Sequence, residues 1–238
     1  MTVTWTDYTV ALFDLDGVIT PTAELHMRAW AEMFSEFLDS RGIAEPYTDE
    51  DYFTYVDGKP RYDGVRSFLE SRGIELPEGD PTDSPELETV CGLGNRKNIV
   101  FNTVLERDGI TPYPGTLLLM DHLDGIGMPM AIVSSSKNAR TVLTAAGLLE
   151  RFPVIMDGAV AAAEGIPGKP APDTFVAAAA AFGASPGSAV VIEDAHSGVA
   201  AGRAGGFALV IGVDRGAGAE ALREAGADVV VTDLEELV

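Results

Sequence analysis

The most regular signal in the chain is a series of short, continuously apolar runs, most of them followed by a stretch with helical spacing. The runs occupy residues 9–13, 130–133, 154–156, 189–192, 208–211 and 228–231, and each reads as a short buried strand. Helical patterns fall at 116–123, 139–146, 173–182, 197–204 and 219–224. This alternation predicts a parallel sheet covered on both faces. Right-handed crossovers then bring every strand's carboxyl end to one edge.

The stretch 22–107 breaks the alternation and contains no buried strand pattern. Residues 23–38 place Leu25, Ala29, Met33 and Phe37 on one helical stripe, and 62–71 and 96–106 also read as helices. Between these last two lies 74–85, a loop rich in Pro, Gly and acidic residues. The predicted architecture is therefore α/β. Residues 1–20 and 109–238 form a Rossmann-like parallel-sheet core, and 21–108 form an inserted all-helical cap domain. Insertions of this kind are tolerated at surface sites, and hinges are expected near 19–22 and 107–109. The alanine run 177–181 reads as strong helix former packed closely on the sheet.

Composition narrows the partners. The 238 residues are 46% hydrophobic with 26 glycines, a globular balance. A formal net charge of -21 argues against nucleic acid, which needs clustered Lys and Arg, and against an anionic membrane surface. A phosphorylated substrate then requires locally concentrated cations. Cys91 is the single cysteine, so no intrachain disulfide forms. Neither a signal peptide nor a membrane-length apolar stretch is seen, so the cytoplasm is the expected compartment; a monomer is expected as well.

The chemistry gathers where the runs end. The first is followed by Asp14-Leu15-Asp16-Gly17, two carboxylates and a glycine to turn the chain. The second is followed by Ser134-Ser135-Ser136-Lys137-Asn138, and the fourth by Glu193-Asp194. Gly168-Lys169-Pro170-Ala171-Pro172-Asp173 holds a lysine in a stiff loop before a helix. Singly, each has a structural reading: the serines as a helix cap, Lys169 as a solvated lysine, the acidic pairs as polar turns. Together they converge on the crevice outside the strand ends, where open α/β sheets bind ligands. Clustered carboxylates need a cation to coexist, and Mg²⁺ suits oxygen ligands and phosphate. The hydroxyls and the lysine suit phosphate oxygens. Gly92-Leu93-Gly94 lacks the third glycine of a dinucleotide fingerprint, and Gly168-Lys169 is followed by Pro rather than Ser or Thr. His26, His122 and His196 have no metal-ligand spacing.

As a set, Asp14-x-Asp16, Ser134, Lys169 and Glu193-Asp194 resemble the four motifs of the haloacid dehalogenase superfamily, and the match is closest to its β-phosphoglucomutase-like family. Further matching strings are His26 with Arg28-Ala29-Trp30, Arg96-Lys97-Asn98, Tyr113-Pro114-Gly115 and Ser136-Lys137-Asn138. The resemblance implies an aspartyl phosphate on Asp14, with Asp16 as general acid and base. It implies Mg²⁺ on Asp14, the Asp16 carbonyl and Asp194, with Glu193 nearby. Ser134, Ser135 and Lys169 would bind the transferring phosphate. His26, Trp30, Gly58, Lys59, Arg61, Lys97, Ser136, Lys137 and Asn138 would bind substrate.

The resemblance implies a sugar phosphate as substrate. The expected reaction interconverts β-D-glucose 1-phosphate and glucose 6-phosphate through a 1,6-bisphosphate. A phosphatase of a small phosphorylated metabolite and a non-catalytic phosphosugar-binding protein are the alternatives. The chain departs from the family in carrying Asp57 where a lysine is usual, with Lys59 after Gly58 as a substitute cation. It also has Pro21 after Thr20 where an aspartate is usual.

Overall fold

The computed structural model describes residues 3–238. Six parallel strands form one sheet: β1 (Val10–Phe13), β2 (Met130–Val133), β3 (Val154–Met156), β4 (Ala189–Glu193), β5 (Leu209–Val213) and β6 (Val229–Val231). Their order is β3-β2-β1-β4-β5-β6. From β1 the chain therefore steps outward through β2 and β3, then crosses back to β4 and steps outward the other way. The point of reversal lies between β1 and β4, where Phe13 pairs with Ile192. Loops leaving these two strands diverge, which opens the crevice that α/β sheets use for ligands.

The strands are buried on both faces, so they lack a polar–apolar alternation. Side chains nonetheless divide by the period of two. Val10, Leu12, Ala131, Val133 and Val191 share one core with Phe175, Ala178 and Ala179 of the helix Asp173–Ala180, and with Val199 and Leu222. The alanines let that helix lie close on the sheet. The helix Pro114–Gly125 buries Leu119, Met120 and Leu123 and starts with proline, whose missing N–H costs nothing at a helix start. Gly158–Glu164 is a helix that the apolar pattern does not announce. It is set by Asp157, whose Oδ1 accepts the N–H groups of Ala159 and Val160, both at 2.9 Å.

The chain divides into two compact units, residues 1–22 with 110–238, and residues 23–109. The second is helical: Thr22–Ser40, Asp49–Asp51 running on into a wider turn over Tyr52–Val56, Arg61–Ser71 and Val90–Asp108. Its core is aromatic. Phe34 lies 4.1 Å from Phe68, 5.2 Å from Tyr47 and 5.3 Å from Trp30 between ring centroids. Each fully buried aromatic contributes roughly 1.5–3 kcal/mol. The last helix begins at Val90, six residues before the expected 96, because Thr89 caps it by accepting the Gly92 N–H at 2.9 Å. Gly92 and Gly94 weaken the helical signal there. Gly92 is required, since a Cβ would stand 2.2 Å from the Leu87 carbonyl oxygen.

The acidic loop 74–85 has no regular structure and is strapped down by side chains. Asn95 Nδ2 donates to the carbonyls of Pro81 and Asp83 at 3.1 and 3.0 Å, and Arg96 Nε to that of Pro85 at 2.8 Å. Arg66 pairs with Glu78 at 3.0 Å. No helix among the described residues is long and apolar enough to cross a membrane.

Candidate active site

The polar groups converge at the reversal point. Asp14 follows β1, and its N–H still donates to the Ile192 carbonyl at 2.9 Å, so it continues the ladder. Glu193 ends β4 and Asp194 follows it. Ligand oxygens of Asp14, Glu193 and Asp194 lie within 4.8 Å of one another, and all three residues are buried. Lys169 arrives from the β3–β4 crossover and is 2% exposed. Its Nζ donates to Asp14 Oδ1 and Glu193 Oε1, each at 2.5 Å, and to the Val133 carbonyl at 2.8 Å. Lys169 is therefore no solvated lysine, and the Glu193-Asp194 pair is no surface turn.

Electrostatics explain why this lysine stays charged. Burial pulls its pKa down, but the carboxylates of Asp14 and Glu193 outweigh that, and the net shift is upward. The reverse holds for Asp14. Burial pushes its carboxyl well above the ordinary value, Glu193 and Asp16 push it further, and Lys169 opposes them without winning. Three buried carboxylates, those of Asp14, Glu193 and Asp194, thus gather about the single ammonium of Lys169. An all-oxygen donor set of Asp14 and Asp194, with a net negative balance, fits a hard divalent cation. Glu193 is already committed: Oε1 takes Lys169 and Oε2 accepts the Ala195 N–H at 3.1 Å.

Two glycines leave the space these carboxylates fill. Gly17 has φ +84°, and a Cβ on it would lie 1.8 Å from Asp194 Oδ2. A Cβ on Gly198 would lie 1.8 Å from Glu193 Oε1.

Asp16 is held separately. Its Oδ1 accepts a short hydrogen bond from the Thr22 hydroxyl, which is also 2.9 Å from the Thr20 hydroxyl. Its carboxylate is not part of the three-residue acidic cluster found among the described residues. Ser134, after β2, is buried, and its Oγ accepts the Ser136 N–H at 3.0 Å. Ser136 Oγ accepts the Asn138 N–H at 3.1 Å. The serine run thus makes successive turns before the helix Ala139–Ala145, with Ser135 and Lys137 at its partly to fully exposed face.

In the helical unit, Lys97 is buried and bonded to His26 Nδ1, with its ammonium 4.9 Å from the Trp30 ring centroid. His26 stacks on Phe101 at 4.1 Å. Trp30 itself is buried in the aromatic core of that unit. Arg61 Nη2 donates to Asn98 Oδ1 at 2.7 Å. Gly58 takes φ +68°, turning the chain ahead of Arg61. Lys59 Nζ is engaged locally, donating to the Tyr55 carbonyl at 2.8 Å and to Ser67 Oγ at 2.7 Å.

Several groups at the site escape a sequence reading. Thr22, Thr116, Gly198 and Arg215 belong to no chemical motif. Thr116 Oγ1 donates to the Val18 carbonyl at 2.7 Å, bracing the turn after Asp16 from 98 residues away. Only the Thr22 hydroxyl, six residues from Asp16, left a local trace.

A parallel α/β sheet that gathers a buried lysine and carboxylates at its switch point places them where sheets of this class bind ligands, and comparisons narrow the class. The family profile of haloacid dehalogenase-like hydrolases matches residues 8–206. Beta-phosphoglucomutase of Mycobacterium bovis is 50% identical over 236 residues, covering 95% of this chain and 90% of the relative. Hexitol phosphatase A of Escherichia coli is 31% identical over 228 residues, covering 95% and 91%. The crystal structure of beta-phosphoglucomutase from Clostridium difficile shares the fold with a TM-score of 0.77 at 24% identity, covering 97% of this chain and 93% of that one. The chain belongs to the haloacid dehalogenase superfamily, in its β-phosphoglucomutase-like family. It is an enzyme, with both isomerases and phosphatases among its relatives.

Proposed function

We propose that the chain is a β-phosphoglucomutase acting in the cytoplasm as a monomer, interconverting β-D-glucose 1-phosphate and glucose 6-phosphate. The observation that carries the reading is the buried Asp14 carboxylate, fixed by Lys169 Nζ at 2.5 Å and followed two residues later by Asp16. Half-identity to a relative named beta-phosphoglucomutase, over nearly the whole of both chains, supports the mutase over the phosphatase.

In this reading a carboxylate oxygen of Asp14 attacks phosphorus of β-glucose 1,6-bisphosphate. The bond from phosphorus to the sugar oxygen breaks, and that oxygen takes a proton from Asp16. The product is a sugar monophosphate and an aspartyl phosphate. In the return step a hydroxyl of bound β-glucose 1-phosphate gives its proton to Asp16 and attacks phosphorus, which frees Asp14. Lys169, the Ser134 hydroxyl and Ser135 hold the transferring phosphoryl oxygens, while the Ser134 N–H stays with the Met156 carbonyl at 3.0 Å. Phosphoryl transfer of this kind is mostly positioning and charge stabilisation. Mg²⁺, held by Asp14, Asp194 and the Asp16 carbonyl with Glu193 nearby, would balance the clustered negative charge. Among the remaining candidates, Arg61 carries the forked guanidinium suited to a second phosphate.

The deciding experiment is incubation with β-glucose 1-phosphate, Mg²⁺ and catalytic glucose 1,6-bisphosphate. Glucose 6-phosphate without matching free phosphate supports the mutase. Stoichiometric phosphate release identifies a phosphatase instead.

A further inference from the structure

Arg215 follows β5, far from every motif residue in sequence, and it reaches three elements at the same edge of the sheet. Its Nε donates to the Gly17 carbonyl at 3.0 Å, and its Nη1 to the Thr232 carbonyl, just past β6, at 2.9 Å. Its guanidinium carbon lies 3.8 Å from the centroid of the Tyr113 ring. All of its partners are uncharged: among the described residues no carboxylate pairs with it. The acid beside it, Asp214, spends Oδ1 on the N–H groups of Gly216 and Gly218, both at 3.0 Å.

These contacts complete a set. The carbonyls of Gly17, Val18 and Ile19 are each taken by a different donor: Arg215 Nε, Thr116 Oγ1 at 2.7 Å and the Tyr113 N–H at 3.0 Å. Tyr113 is also the ring on which Arg215 rests, so the first and third clamps brace one another. The turn they hold begins one residue after Asp16. It also passes so close to Asp194 that a Cβ on Gly17 would meet that carboxylate. A shift of Gly17 therefore moves the Asp16 backbone and crowds Asp194 together. A guanidinium is suited to this place, because its fork binds two separate carbonyls while its flat face stacks on an aromatic ring.

We infer that Arg215 is a positioning residue, which acts through the Gly17 carbonyl to hold Asp16 where it can deliver its proton to the sugar oxygen. The inference rests on the acid–base role given to Asp16 under the proposed function. It touches neither the substrate nor the nucleophile, so its loss should fall mainly on proton delivery and more lightly on the phosphorylation of Asp14, which senses the shift of Gly17 only through its neighbour Asp194 and the Asp16 backbone.

The test compares two phosphoryl donors. A sugar phosphate leaves as a poor leaving group and needs the proton, whereas acetyl phosphate does not. In Arg215→Met, kcat on sugar phosphate should fall about 10- to 100-fold, the scale of a misplaced catalytic group, with KM nearly unchanged. Single-turnover labelling of Asp14 by acetyl phosphate should fall far less than turnover of the sugar phosphate. Arg215→Lys should fall between, and it carries the same comparison where the methionine variant does not fold. Arg203→Met, at an exposed arginine, should match wild type. An unchanged kcat on sugar phosphate, or equal losses with both donors, overturns the inference. If wild type releases phosphate instead of isomerising, the mutase reading fails, yet the comparison of donors stands, since the sugar phosphate is the poor-leaving-group donor in both reactions.

Discussion

Lys169 Nζ lies 2.5 Å from Asp14 Oδ1, although 155 residues separate them in the chain. The same ammonium is 2.5 Å from Glu193, so one buried cation serves two buried carboxylates. Removing one member of such a set is costly, because it strands charge away from water.

Lys169→Met is expected to lower folding stability by roughly 3–5 kcal/mol, the usual result of breaking a buried ion pair from one side. Urea unfolding with and without Mg²⁺ measures it. The loss should shrink when Mg²⁺ is present, because the ion replaces part of the missing positive charge. A variant as stable as wild type would show that the pair contributes nothing.

Asp14 makes the stability of the metal-free protein depend on pH in a defined direction. Its folded pKa is raised above the ordinary 3.8, chiefly by burial, so the folded state binds the proton more tightly than the unfolded chain. Stability from this group is complete below 3.8 and is lost as pH rises through the folded pKa. Asp14→Asn has no such titration. In chelator, the melting temperature of Asp14→Asn should overtake wild type progressively from acid to neutral pH. A constant difference between the two across that range contradicts the assignment. The same variant should lose at least about 10⁴-fold in kcat, as expected for a missing nucleophile.

Metal binding should be visible without turnover. Mg²⁺ at about 100 times its dissociation constant should stabilise the wild-type protein by about 2.7 kcal/mol. Asp194→Ala should abolish most of that gain, and a chelator should reverse it and stop catalysis. Equal stabilisation of both proteins by Mg²⁺ would place the ion elsewhere.

Gly198→Ala tests the space behind Glu193. The added methyl would overlap the carboxylate, 2.0 Å from its carbon, and displace it from Lys169 and from the Ala195 N–H. Overpacking of this kind costs about 1–3 kcal/mol. Calorimetric melting of the variant should show that loss together with reduced kcat. A normal melting temperature means that Glu193 has room to move.

The elements were legible wherever burial left a local mark. All six strands lie where the apolar runs predict, because a strand covered on both faces must be apolar throughout. The helix Gly158–Glu164 and the turns over Asp49–Val56 were not legible, since a capping aspartate and an acidic first turn hold them more than an apolar stripe does. The start of Val90–Asp108 was masked by its own glycines.

The residue types of the site and their order along the chain were determined by the sequence alone, because each polar group directly ends a strand or opens a helix. Their partnerships were decided only by the tertiary structure. Sheet order puts β1 beside β4, and that adjacency brings Asp14, Lys169 and Glu193 into one buried group. The clamps on the turn after Asp16 are of the same kind. Thr116, Tyr113 and Arg215 bind backbone carbonyls, which every residue has, so nothing in the sequence marks which carbonyl each will find.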